Sequence, residues 1–307
     1  MRKTCFAWIW LVAIVAGGIT TACTEPIDLR NDGMESKLVI TCILTDTVIL
    51  ENFHKVVAEN YVTIQKTTPF FGNIFMENVA DAKVWLNSKL MEVVGPGVYT
   101  LQNFLPVPGE TYTLDVFYDL NGDGVDEQFT ATATMPQKCH LDSLSLWRPF
   151  NIGDYFANLV LHIRGASGEN YFGAKLNNDN DSRFFSTRIL RYSLFRFDIF
   201  SNEDEKKRLE SDWWISKEMS YDNENKYYIF AGDTLAVTLE SLSKEYHRFL
   251  EVAKMELSQN SPLFSGPRSN VPSNFTGGAL GIFGAYTASR ATIEVPRDVG
   301  LPTRTGE

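Results

Sequence analysis

Residues 111–135 read TYTLDVFYDLNGDGVDEQFTATATM, and this stretch carries the pattern that decides the fold. Two runs rich in Thr, Tyr, Val and Phe, at 111–119 and 127–135, flank a segment that contains both Asn-Gly and Asp-Gly. β-branched and aromatic residues favour strands, and either dipeptide between two such runs is a strong hairpin signal. The stretch therefore predicts an antiparallel pair of strands.

Similar short runs precede this hairpin, and turn signals such as Gly95-Pro96-Gly97 and Pro108-Gly109-Glu110 separate them. Several strands without an intervening helix are typical of an antiparallel sandwich. We predict an Ig-like or transthyretin-like β-sandwich over residues 37–137, which closes at Met135-Pro136. Its other strands are predicted at LVITCILT (38–45), YVTIQK (61–66), AKVWLN (82–87) and GVYTL (97–101).

The second part, residues 138–307, is predicted to be a β-rich C-terminal domain with one clear helix. Strand-like runs recur, for example at 158–165, 170–176 and 235–242. The helix is predicted at 243–258, because Ser243 can cap its N-terminus and apolar residues follow at helical spacing. That apolar stripe consists of Tyr246, Phe249, Leu250, Ala253 and Leu257.

The N-terminus has the pattern of a lipoprotein signal peptide. Arg2 and Lys3 precede an uncharged apolar run at 6–19, FAWIWLVAIVAGGI. A bilayer-spanning helix needs about 20 residues, so this run is too short to span and suits a signal-peptide core. It ends at Thr20-Thr21-Ala22-Cys23, which resembles the bacterial lipoprotein box. We predict a signal peptide over 1–22, lipidation of Cys23 and a polar tether over 23–36.

Residues after Cys23 bear on the destination of the lipoprotein. Position 24 is Thr, so the Asp typical of inner-membrane retention is missing, and Glu25 and Asp28 follow. Acidic residues at this place resemble the surface-export signal of Bacteroidota lipoproteins. We therefore expect a lipid-anchored protein of the outer membrane that faces outward.

The charge balance argues against a nucleic-acid partner. The chain has 28 Lys and Arg against 38 Asp and Glu, a formal net charge of -10. Loss of Arg2 and Lys3 with the signal peptide would leave 26 basic residues and a net charge of -12. Binding to a phosphate backbone depends on Lys and Arg clusters, which this acidic chain lacks.

A family resemblance rests chiefly on the C-terminal motif. Asn260-x-Pro262-x-Phe264 is followed by SNFTGGALGIFGA at 273–285, and Glu25-Pro26-Ile27 follows the lipobox. With the early LVITCILTD strand and the Met135-Pro136 junction, this pattern resembles the Bacteroidota family called domain of unknown function 4249, over about residues 24–297. The resemblance implies an outer-membrane lipoprotein associated with a TonB-dependent receptor, and it implies no catalytic residues. Read physically, the glycines of the motif suit a strand pressed closely against other backbone.

The loop of the opening hairpin contains half of a calcium-binding pattern. Asp119, Asn121 and Asp123 alternate before Gly124, as the oxygen ligands of a calcium loop do. The twelfth position is Thr130, whereas an EF-hand has a bidentate Glu there. Two interpretations remain open, a plain hairpin turn and a turn that binds calcium.

Two cysteines and two aromatic pairs complete the candidate sites. Cys42 and Cys139 would remain in the mature chain, either as a disulfide between the terminal strands of the sandwich or as two free thiols. Phe70 and Phe71 lie in an aromatic-rich segment, TTPFFGNIFMEN at 67–78, and Trp213 and Trp214 are adjacent. Aromatic residues are enriched in the cores of interfaces, so these four are the candidate partner-binding residues.

No catalytic constellation is recognisable in the sequence. His54, His140, His162 and His247 lack the spacing of a zinc site, and there is no Gly-x-Ser-x-Gly motif. We therefore expect a non-enzymatic protein without a cofactor, apart from calcium. Two functions remain: an accessory lipoprotein of a TonB-dependent receptor in solute uptake, or a self-standing adhesin, structural or glycan-binding surface lipoprotein.

Overall fold

The computed structural model describes residues 36–46, 48–51, 54–57, 60–68, 76–147, 156–165, 168–178, 197–201, 210–216, 218–220, 226–258 and 271–297. This part of the chain is mainly β with one helix, as the sequence predicts. No helix within it is long and apolar enough to cross a membrane. The strands are β1 Leu38–Thr45, β2 Val48–Glu51, β3 His54–Val57, β4 Tyr61–Lys66, β5 Glu77–Asn78, β6 Lys83–Leu86, β7 Lys89–Leu90, β8 Glu92–Gly95, β9 Val98–Thr100, β10 Thr111–Tyr118, β11 Glu127–Thr134, β12 His140–Trp147, β13 Phe156–Arg164, β14 Tyr171–Asn178, β15 Phe197–Ser201, β16 Glu210–Ser216, β17 Glu218–Ser220, β18 Lys226–Tyr228, β19 Thr234–Leu242 and β20 Leu280–Glu294, and the helix is α1 Lys244–Ser258.

A nine-stranded sheet forms the spine of the described structure. Its order is β15-β14-β19-β20-β1-β4-β9-β8, with β5 paired to β4. β1 and β20 run parallel, and the other neighbours run antiparallel. Two smaller sheets have the orders β11-β10-β6-β7 and β12-β13-β16, and the pairs β2-β3 and β17-β18 stand apart.

The predicted hairpin is the pair β10–β11. Thr111 pairs with Thr134 and Tyr118 with Glu127, without a register shift. Along β10, Tyr112, Leu114 and Val116 are buried while the residues between them are more exposed. This alternation places one face of the hairpin on a core and the other on solvent, as a period of two residues requires.

Two large hydrophobic cores lie in the described residues, and most side chains of the first come from before the predicted boundary at 137/138, while those of the second come from after it. The first core joins β1, β4 and β9 to β6, β10 and β11, and it reaches Met135. The second joins β12 and β13 to β14 and β19, and it begins at Cys139. A smaller third cluster lies under α1.

The two predicted domains nevertheless share one sheet, because β20 belongs to both. Its first half, Leu280 to Tyr286, pairs with β1, and its second half, Tyr286 to Glu294, pairs with β19. Phe275, Ala279, Phe283 and Ala285 lie in the first core. The N-terminal sandwich is therefore completed by residues that come about 140 positions later in the chain.

Helix α1 begins where the sequence predicts it. Ser243 Oγ accepts the N–H groups of Tyr246 at 3.4 Å and of Ala285 at 3.3 Å, and the Ser243 N–H donates to the Ala285 carbonyl at 2.8 Å. The same serine thus caps the helix and ties it to β20. Tyr246, Phe249 and Leu250 from the predicted stripe pack in the third cluster.

Candidate functional site

The hairpin loop at 119–127 is held together by its own carboxylates. Asp119 Oδ1 accepts the N–H groups of Gly122 at 2.7 Å and Asp123 at 3.1 Å, and its Oδ2 accepts that of Gly124 at 2.8 Å. Glu127 accepts the N–H of Leu120 at 2.8 Å and a hydrogen bond from the Asn121 amide. Both carboxylates thus accept hydrogen bonds from N–H groups of the turn that have no partner in the strand ladder.

Metal binding is not needed to explain this loop. In the part of the chain that the structure describes, no group of three or more His, Cys, Asp or Glu side chains could hold a metal ion. Asp123 accepts the N–H of Val125 at 2.9 Å, and Asp126 pairs with Lys83 at 2.7 Å. The hairpin-turn interpretation accounts for these contacts, and calcium at Asp119, Asn121 and Asp123 stays a prediction.

No disulfide joins Cys42 and Cys139 in the structure, so the alternative of two separate thiols describes them. Both are buried, but Cys42 lies in the first core and Cys139 in the second. Burial raises the pKa of the Cys42 thiol well above its ordinary value. A neutral buried thiol is a poor nucleophile, and we therefore assign Cys42 a packing role.

Three predicted site residues lie outside the described residues: Cys23, Phe70 and Phe71. Trp213 and Trp214 fall on β16, where the backbone register is described. Trp213 pairs with Leu159 and Trp214 pairs with Asn158. Leu159 packs in the second core, and successive strand positions alternate, so the side chains of β12 and β13 lie on a core face and on an opposite face.

The opposite face of β12 and β13 combines an exposed aromatic ring with polar groups. In register, Trp147 pairs with Asn158, Ser145 with Val160 and Ser143 with His162. Residues opposite each other in an antiparallel pair share one face. We call this surface the Trp147 face, which consists of Ser143, Ser145, Trp147, Asn158, Val160 and His162.

The chemistry of the Trp147 face is aromatic and neutral-polar. Trp147 is 48% exposed, while Asn158 between the outer strands is only 2% exposed. Ser145 Oγ and His162 Nε2 share a hydrogen bond of 2.8 Å. His162 lies on β13, and no motif in the sequence singles out Trp147 or Asn158. Two sequence patterns could have pointed to these residues. Trp147 ends the alternating run LSLW at 144–147, and Asn158 is the polar first residue of the otherwise apolar run NLVL at 158–161.

A comparison with known protein families gives a match over most of the chain. The model of the domain of unknown function DUF4249 matches residues 24–292. The chain belongs to the DUF4249 family. No curated protein matches it as a relative.

In this DUF4249 protein the SNFTGGALGIFGA segment leads into β20, and its apolar side chains pack in the first core. Asn274 Oδ1 accepts the Phe283 N–H at 2.9 Å, and Asn274 Nδ2 donates to the Phe283 carbonyl at 2.8 Å. Thr276 exchanges hydrogen bonds with the backbone of Thr130 on β11. At Gly284 an added Cβ would come within 2.7 Å of Tyr246 Cβ, so the helix rests on that glycine. The predicted close packing of this segment is confirmed, and its role is structural.

Proposed function

We propose that this DUF4249 protein is a non-enzymatic outer-membrane lipoprotein, anchored through Cys23 and facing outward, that assists a TonB-dependent receptor in solute uptake. The single observation that carries the proposal is the N-terminal pattern, a charged start and a short apolar core that end at Cys23. The receptor as partner rests on what the family resemblance implies. The adhesin, structural or glycan-binding interpretation would use the same anchor, and the family resemblance does not favour it.

Because the protein would be anchored in the membrane, a weak interface would be enough to keep it bound to a receptor in the same membrane. More than one acyl chain gives stable membrane attachment, and a tethered protein gains effective concentration beside its partner. A mature net charge of -12 disfavours adhesion of the body to an anionic leaflet. The tether at 23–36 would leave the β-rich body, described from Ser36 onward, free to meet a receptor.

Phe70 and Phe71 are the proposed receptor contact, with Trp213 and Trp214 as the second candidates. The segment 67–78 contains three phenylalanines, and it also contains Ile74 and Met76. Met76 is 49% exposed, so at least one apolar side chain of this segment lies on the surface. Aromatic residues and methionine are both enriched in interface cores.

The first test concerns the anchor. Mass spectrometry of the protein purified from membranes should find a lipid-modified Cys23 as the first residue. Cys23→Ser should abolish the modification and release the protein from the outer-membrane fraction. An intact Met1 or an unmodified Thr24 terminus contradicts the anchor.

The second test concerns the receptor. Gentle-detergent purification of the lipidated protein should bring a TonB-dependent receptor with it, and Phe70→Ser with Phe71→Ser should reduce the amount of receptor at least about fivefold. Val93→Ser with Val94→Ser is the matched control, because both valines are 52% exposed on β8. If the unaltered protein brings no receptor, the accessory function is wrong. If the unaltered protein brings the receptor and the double phenylalanine variant brings just as much, the proposed contact at Phe70 and Phe71 is wrong.

A further inference from the structure

The loop at 119–127 lies at the end of the first core where the chain enters from the predicted tether. Close to that entry, the Lys37 N–H donates to Thr67 Oγ1 at 2.9 Å, and the Thr67 N–H donates to the Lys37 carbonyl at 2.9 Å. Lys66, which precedes Thr67, donates from Nζ to the Leu120 carbonyl at 3.4 Å. The entry point of the chain and the hairpin loop therefore lie at the same end.

The tether end, as we name this surface, exposes two apolar side chains. It consists of Lys37, Thr67, Met76 and the loop at 119–127. Met76 precedes Glu77, which pairs with Lys66 on β4, and its side chain is 49% exposed. Val125 lies in the loop and is 65% exposed, the largest value for a large apolar side chain among the described residues. The most exposed apolar side chain of the described structure thus lies beside the point where the tether is attached.

Hydrogen bonds within the loop fix the backbone that carries Val125. Asp123 Oδ1 accepts the Val125 N–H at 2.9 Å, and Asp119 accepts the N–H groups of residues 122–124. Gly124 has a φ of 86°, and an added Cβ there would meet nothing within 4 Å, so the loop projects into open space. A side chain on an ordered loop loses little conformational entropy when a partner covers it. Val125 is therefore a preorganised apolar contact.

The charge around Val125 is negative. The loop contains four acidic residues and no basic one, and the acidic residues are Asp119, Asp123, Asp126 and Glu127. Lys83 pairs with Asp126 at 2.7 Å, and Lys66 reaches the Leu120 carbonyl, so two lysines balance only part of this charge. A surface of this sign is repelled by an anionic lipid leaflet and attracts a partner that carries Lys or Arg.

We infer that the tether end docks on a protein of the membrane that holds the Cys23 anchor, with Val125 in an apolar pocket whose rim carries Lys or Arg. This inference rests on the proposed function, which supplies the anchor and names that membrane protein as a TonB-dependent receptor. The predicted tether at 23–36 has 14 residues and spans at most about 50 Å when fully extended. The tether end stays within that distance of the membrane, while the other end of β10 lies about 25 Å away along the strand. The acidic loop disfavours the leaflet itself as the contact, which leaves a protein in that leaflet.

The first test measures how much receptor co-purifies with the lipidated full chain in gentle detergent. Val125→Ser should reduce that amount about fivefold or more, because the apolar contact of a buried valine is lost. Val107→Ser is the matched control, since Val107 is 50% exposed and precedes the opposite end of β10. The control should bring as much receptor as the unaltered protein does. An unchanged amount of receptor with Val125→Ser overturns the inference.

Salt tests the charged rim of the pocket. Raising the NaCl concentration to about 0.5 M should release receptor from the unaltered protein, because salt screens exposed charges. A complex that is unaffected by salt contradicts a rim of Lys or Arg.

Photo-cross-linking distinguishes a direct contact from an indirect effect of the substitution. A benzoylphenylalanine in place of Val125, in the lipidated full chain in outer membranes, should cross-link to the receptor that co-purifies, and one in place of Val107 should not. Cross-linking from position 125 to lipid alone would make the tether end a membrane contact and overturns the inference. If the unaltered protein brings no receptor, the proposed function fails together with this inference. If it brings a receptor that position 125 does not reach, only this inference fails.

Discussion

Gly281 sets how closely β20 approaches β1. It pairs with Ile40 in the parallel register and has a φ of 105°, a conformation that side chains with a Cβ adopt only under strain. A Cβ at this position would lie 2.0 Å from the Ile40 carbonyl oxygen. Because that oxygen is backbone in the centre of the nine-stranded sheet, it cannot turn aside as the end of a side chain could.

We expect Gly281→Ala to destabilise the protein by about 2–5 kcal/mol, the sum of a φ penalty and a forced backbone shift. Gly278→Ala is the control, since Gly278 also has a positive φ, 81°, but an added Cβ would meet nothing within 4 Å. The control should lose only about 1–2 kcal/mol. Urea unfolding of both variants gives the comparison, and equal losses would show that the contact with Ile40 is unimportant.

At the scale of an element, Asp119 accepts more backbone hydrogen bonds than any other side chain in the loop of the β10–β11 hairpin. Asp119 accepts three backbone N–H groups, whereas Asp123 accepts one. Such hydrogen bonds from a side chain to nearby backbone stabilise a turn, because the backbone N–H groups there have no partner on a neighbouring strand. The hairpin contributes Phe129, Ala131 and Leu114 to the first core, so its loop geometry is linked to the packing of the sandwich.

We expect Asp119→Ala to lower stability by about 1–2 kcal/mol and Asp123→Ala by less than about 1 kcal/mol. Calcium at millimolar concentration should leave the melting temperature of the unaltered protein unchanged, because the Asp119 oxygens already accept backbone donors. Differential scanning fluorimetry with calcium and with a chelator measures both effects. A melting temperature that rises with calcium, and does so less in Asp119→Ala, would establish the calcium interpretation instead.

For the whole molecule, the central feature is that one sheet serves two cores. All described residues fall in one compact unit, and β20 is the strand through which the first core and the second core meet. Asp46 adds a polar link at the same place, since it accepts the Ala288 N–H at 3.3 Å and pairs with Lys138 at 3.4 Å. Cooperative unfolding of both cores is the expected consequence, because neither keeps its sheet without β20.

We therefore expect a fragment of residues 37–137 to lack a cooperative thermal transition. It would lose the partner of β1 along Val39–Thr45 and the buried rings of Phe275 and Phe283. Burying a Phe ring stabilises a fold by roughly 1.5–3 kcal/mol, and a small domain has little stability to spare. Circular dichroism of the fragment, alone and with a peptide of residues 271–295, measures this. A cooperative transition in the fragment alone would show that it is an independent domain.

The sequence by itself determined the local features of this protein, and the tertiary structure alone decided how they combine. Alternation over 111–118 and 127–134, the Asn-Gly and Asp-Gly turn, and Ser243 before an apolar stripe each depend on neighbours within a few residues, so these elements could be predicted. The pairing of β20 with β1 joins residues about 240 positions apart, and its parallel register follows from packing that no local pattern encodes. For the same reason Trp214 could be singled out from the sequence, while its alignment through Asn158 with Trp147 became visible only when β12, β13 and β16 lay side by side.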